Sequence, residues 1–103
     1  MTRIYISHPY TSTGEADENV RAAREIQKEV QKEEPDANVI CVLGAMPFVG
    51  TYKEQIMRCL DELDTCDIIM FCGRWKESRG CLIEYGYAVA KDKKIILRDE
   101  VGK

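Results

Sequence analysis

Histidine occurs once in these 103 residues, as His8, and no Cys-x-x-Cys pair is present. A zinc site built from closely spaced thiolates and imidazoles therefore finds no support. The five cysteines stand at positions 41, 59, 66, 72 and 81, an odd number whose irregular spacing fits no disulfide framework. Most have apolar residues close by, where a free thiol packs as a small core residue. We expect a reducing, cytoplasmic setting. A reactive cysteine would have His8 as its one histidine partner. Long apolar runs are also missing, so no segment is expected to span a bilayer and no membrane partner is expected. Met-Thr-Arg leads straight into a strand-like run, leaving no space for a signal peptide. Positive charge is not in excess: 15 Lys and Arg stand against 18 Asp and Glu, for a net charge of −3. That balance argues against binding a nucleic-acid polymer. The dinucleotide-binding G-x-G-x-x-G, the phosphate-binding G-x-x-x-x-G-K-[ST] and the hydrolase G-x-S-x-G are all absent.

What the chain does contain is ordinary globular composition, 45% hydrophobic and 32% charged, at a length that suits one domain. Arg3–Ser7 is a β-branched and aromatic run stopped by Pro9, and residues 9–17 read as a loop. From about Asp17 to Glu34, Val20, Ala23, Ile26 and Val30 recur at helical spacing, and Pro35 closes the segment. Asn38–Leu43 is an apolar strand, followed by the apolar loop Gly44–Gly50. Tyr52, Ile56, Leu60 and Leu63 mark a second helix, with Glu54 and Arg58 spaced for an i,i+4 ion pair. Asp67–Cys72 is a third strand, residues 73–78 a loop, Arg79–Ala90 a third helix and Lys94–Arg98 a fourth strand. Strands apolar on both faces, alternating with helices, predict a parallel sheet covered on both sides. Right-handed crossovers then give a small doubly wound α/β sheet in the order 2-1-3-4.

In such sheets ligands bind beyond the carboxyl ends of the strands. Those ends hold His8, the loop 73–78 with Trp75, and Asp99. The informative stretch is Ser78-Arg79-Gly80-Cys81-Leu82-Ile83-Glu84-Tyr85-Gly86-Tyr87-Ala88. Glu84 is the one acid between Glu77 and Asp92, and its helical neighbours Gly80, Cys81 and Ala88 are small. Glycines inside a helix each cost about 1 kcal/mol, so Gly80 and Gly86 point to close approach of the sheet, a second subunit or a ligand. A surface glutamate on a helix packed through its small residues would leave the same pattern. His8 is placed to contact a ligand or to cap backbone. Thr11–Gly14 can offer hydroxyls and amides to a phosphate, or form a plain polar loop. Arg79 can neutralise an anion, whereas Arg74 reads as an ordinary surface arginine. Trp75 can stack on a ligand, cover the pocket or pack. Asp67, at the start of a strand, reads as structural.

Ile4-Tyr5-Ile6-Ser7, Thr-Cys-Asp before a buried strand, and S-x-G-x-x-x-E-x-G-x-A from Ser78 to Ala88 resemble the nucleoside 2-deoxyribosyltransferase family. That family includes the related 2′-deoxynucleoside 5′-monophosphate N-glycosidases. The resemblance implies that Glu84 is a catalytic nucleophile and Tyr5 the phenol that positions it. Ser78, by the same resemblance, favours a 5′-phosphorylated substrate, and Ser7, His8, Arg79 and Gly80 join it as expected substrate contacts. The resemblance also implies a nucleoside or nucleotide partner, no metal or redox cofactor, and a homodimer or larger assembly with helix three or the loop after Leu43 at the contact. In related enzymes an Asp partway along the preceding helix serves as proton donor; by spacing from Asp67 that position is Cys59 here. Asp61 or Asp64 would replace it only in a shifted helix register. The expected function is N-glycosyl transfer to a second base or to water. A nucleotide-binding protein without turnover and an oligomeric interaction module remain the alternatives.

Overall fold

The computed structural model describes residues 2–10, 16–42 and 50–98. Four strands, β1 (Arg3–Ser7), β2 (Asn38–Ile40), β3 (Ile68–Cys72) and β4 (Lys94–Arg98), form one sheet in the order β2-β1-β3-β4. All three pairings are parallel, with Tyr5 set between Ile40 and Ile69. The helices are α1 (Ala16–Glu33), α2 (Tyr52–Asp64) and α3 (Arg79–Ala90), with a 3-10 turn at Trp75–Glu77. This is the doubly wound arrangement that the alternating pattern predicts.

Strand geometry sends successive side chains to opposite faces, and β1 and β3 divide the molecule accordingly. Ile4, Ile6, Met70 and Cys72 join Val39 and Cys41 under Ala23 and Val30 of α1. Tyr5, Ile69 and Phe71 face the other way, onto Leu63 of α2 and Cys81 and Ala88 of α3. The five cysteines are free thiols, four buried and Cys59 half-buried.

Local chemistry sets the element ends. Asp17 and Glu18 in the first turn of α1 and Lys32 in its last complement the helix dipole. Gln27 and Gln31 donate side-chain N–H groups to the carbonyls of Val39 and Ala37, tying α1 to β2. Thr51 and Glu54 form a reciprocal capping box at the start of α2. That box explains why the Glu54–Arg58 ion pair does not form: the Glu54 carboxylate accepts from the Thr51 amide at 2.8 Å instead. Asp67 accepts from the Arg3 amide at 3.0 Å, which holds the entrance of β3 to β1 and leaves the strand to begin at Ile68. The second strand is shorter than the apolar run 38–43 predicts. Its ladder to β1 ends at the Tyr5–Ile40 pairing, and Cys41 and Val42 beyond it are buried outside the ladder. At the end of β3, Gly73 takes a left-handed φ of 63°, which turns the chain towards α3.

Candidate active site

The third helix begins where Ser78 accepts a hydrogen bond from the Cys81 amide at 3.3 Å. From there, Cys81, Glu84 and Ala88 share the helix's inward face. Cys81 and Ala88 are small, so the helix lies close on the sheet and carries the Glu84 carboxylate to the end of β1. The Tyr5 hydroxyl donates to Glu84 Oε2 at 2.5 Å, and the Ser7 hydroxyl donates to Oε1 at 2.6 Å. Residues 79 and 77 positions apart in the chain thus converge on one carboxylate. Glu84 is 6% exposed and Ser7 1%.

Burial raises the Glu84 pKa to about 7, although the hydrogen bonds from Ser7 and Tyr5 pull it down. The carboxylate therefore gains and loses its proton near neutrality. Burial, and then the Glu84 charge, push the Tyr5 phenol well above its ordinary range, so Tyr5 stays a donor. Burial likewise lifts the thiols of Cys59 and Cys81 to about 11. Both remain protonated around the carboxylate.

Above this group opens a cavity of about 470 Å³, within the size range of small-molecule sites. Tyr5, Ser7, His8, Ser78, Arg79, Gly80 and Glu84 all line it. The structure brings these seven residues together at one cavity. Ser7, expected to face a substrate, spends its hydroxyl on Glu84. The glutamate is no surface residue.

The second helix contributes a wall of which sequence reasoning placed only Cys59 at the site. Tyr52, Gln55, Ile56 and Cys59 line the cavity, as does Tyr10 after β1. Their i, i+3, i+4, i+7 spacing was visible, but it marked only a helix face and not what the face would meet. Cys59 stands close enough to the site for the Glu84 charge to push its thiol up further. Asp61 and Asp64 do not line the cavity; Asp64 accepts from the Tyr87 hydroxyl at 3.0 Å instead. Trp75 packs rather than facing the cavity, with its ring 4.7 Å from Phe71 and 5.5 Å from Tyr85. Arg74 forms a surface pair with Glu77.

A Cβ added at Gly80 would make only ordinary contacts, and one at Gly86 would meet nothing within 4 Å. The sheet therefore does not require either glycine. Thr11–Gly14, most of the apolar loop 44–50 and Asp99 lie outside the described residues. Among the described residues, no group of three or more His, Cys, Asp or Glu side chains could hold a metal ion.

A doubly wound sheet with a buried carboxylate at its carboxyl ends is the class that fold and site define. Residues 2–97 match the domain of unknown function DUF4406, and the chain belongs to that family. No curated protein matches it. Among solved structures it is similar to a 2-desoxiribosyltransferase from Leishmania mexicana, with 20% identity and a TM-score of 0.69. The match covers 96% of this chain and 65% of that one, so this chain spans less than two thirds of that enzyme's length. At that identity, the likeness establishes a common fold.

Proposed function

We propose that the cavity is a site of N-glycosyl transfer, acting on deoxynucleosides or their 5′-monophosphates with Glu84 as nucleophile. The observation that carries this reading is a buried carboxylate at the cavity floor, with each oxygen held by a hydroxyl. Breaking an N-glycosidic bond develops positive charge at C1′, which an oriented anion stabilises and then captures. Tyr5 and Ser7 fix the carboxylate's orientation, and the protonated neighbours compete with no charge of their own. The amino end of α3 has no acid in its first turn and carries Ser78 and Arg79, which suits a 5′-phosphate. Water or a second base would release the sugar from Glu84.

Incubation with a panel of deoxynucleosides and monophosphates, with and without a second base, tests this by chromatography of the released base. Release from at least one substrate, lost in Glu84→Gln, is the expected result. Nucleotide binding by calorimetry without release from any substrate would leave a binding protein. Cys59 favours that second reading, because a thiol stands where the resemblance places an acid. Leu82, Ile83 and Val89, exposed on the outer side of α3, support self-association through this helix. Light scattering at micromolar concentration should report a homodimer or larger; a monomer with and without nucleotide counts against it.

A further inference from the structure

We infer that His8 is the acid that protonates the departing base, an assignment that rests on the glycosyl-transfer reading above. When the C1′–N bond breaks, its electron pair stays on the base, and a neutral purine or pyrimidine leaves poorly unless it gains a proton. The cavity offers few sources for that proton. The Tyr5 hydroxyl is committed to Glu84, and the Cys59 and Cys81 thiols hold their protons up to about 11. Tyr10 and Tyr52 add phenols, weak acids as a type, and an arginine such as Arg79 gives up no proton. Glu77 is paired with Arg74, which keeps its carboxylate below the ordinary range and so unprotonated. Histidine is the side-chain type that exchanges protons near neutrality, and His8 lines the cavity beside Ser7.

The ring is oriented for the task. His8 Nδ1 lies 2.9 Å from the Pro9 carbonyl oxygen. A carbonyl only accepts, so Nδ1 carries a proton and Nε2 is the atom left for a ligand. Among the described residues no hydrogen bond involves Nε2, and no buried side-chain nitrogen lacks a partner. Nε2 is therefore accessible, on a side chain that lines the cavity. In the doubly protonated ring, Nε2–H is available to the base while Nδ1–H stays anchored. The step then balances. The C1′–N bond breaks, its electron pair takes the Nε2 proton, and a Glu84 oxygen bonds to C1′. Water next attacks C1′, the bond to Glu84 breaks, and the proton lost by water returns to Nε2.

The test compares 2′-deoxyguanosine 5′-monophosphate with its 7-methyl derivative, whose base already carries a positive charge and leaves without a proton. His8→Asn and His8→Gln should slow release from the unmethylated nucleotide by about a hundredfold or more. Release from the methylated nucleotide should stay within a few-fold of wild type, and Glu84→Gln should lose both. Equal losses on the two substrates, or no loss on either, overturn the assignment while leaving Glu84 in place. A wild type inert towards both nucleotides overturns the glycosyl-transfer reading and this assignment with it. If neither His8 variant folds, the wild type decides. A methylated-to-unmethylated rate ratio well below that of the uncatalysed reactions supports a protein-supplied proton, and a ratio equal to it rules one out.

Discussion

Consecutive residues of β1 lead into two different environments. Ile4 and Ile6 enter a cluster with Val39, Met70 and Val30 beneath α1, closed by apolar contact. Tyr5 and Ser7 face α2 and α3, where the same strand ends in hydroxyls, a buried carboxylate and a cavity. Both faces are deeply buried, so burial alone does not distinguish them. The difference lies in what each helix brings. The α1 side supplies shape-filling side chains, whereas α3 brings an acid inward on small neighbours and α2 adds the wall that keeps the space open. One side can stabilise the domain while the other carries a destabilising charge.

The largest expected effect breaks the polar side. Glu84→Gln keeps the shape but removes the anion, so base release should fall on the order of a thousandfold or more while nucleotide binding persists. The same variant tests the cost of burying the charge. Folding raises the Glu84 pKa from 4.5 to about 7, so the folded chain holds this proton more tightly than the unfolded one. Wild-type stability should therefore fall relative to the variant as pH rises from about 4.5 through 7. The loss is about 3 kcal/mol, at about 1.4 kcal/mol for each tenfold change in proton affinity. Urea unfolding at several pH values measures it, and parallel curves for the two proteins would contradict the buried anion. With the methylated nucleotide, which needs no proton from His8, kcat/KM should climb with pH through about 7, because the anion is the nucleophile.

Breaking the apolar side should look different. Ile6→Ala is expected to cost about 2–5 kcal/mol of stability, with activity per folded molecule little changed. Its neighbour offers the contrast. Ser7→Ala and Tyr5→Phe each remove one donor from the Glu84 anion and so raise its pKa further. Their acid limbs should shift to higher pH, with activity at pH 7 down about 10- to 100-fold. An unshifted limb would separate these hydroxyls from the carboxylate's chemistry. The smallest effect is expected from Gly86→Ala, on the outer side of α3. With no chain atom near the added methyl, helix propensity alone should stabilise by about 1 kcal/mol. A lower thermal midpoint would mean that something covers this position in solution.

Much of this arrangement was legible before any coordinates. The third helix and the first and fourth strands follow their apolar and capping signals to the residue. The second strand did not, because an apolar run shows what is buried and not where a ladder partner ends. Glu84 announced itself as a lone acid in an uncharged helix, and Tyr5 through the family resemblance. Ser7 was assigned to a substrate, although the period of two puts it on Tyr5's face of β1. Nothing local could show that its hydroxyl would reach a carboxylate 77 residues away. Trp75 stayed undecided because aromatic residues at strand ends serve packing and binding alike. Its partners Phe71 and Tyr85 are contacts that only folding creates.

The sequence by itself determined the order and type of the elements, since periods of 2.0 and 3.6 and the caps between them are local signals. It also determined which residues were available for chemistry. The tertiary structure alone decided that Tyr5, Ser7, Cys59 and Glu84 would meet, and that Glu84 would be buried with a pKa near neutrality. Desolvation and hydrogen bonding depend on distances between residues far apart in the chain. Those distances exist only once α2 and α3 have packed against the sheet.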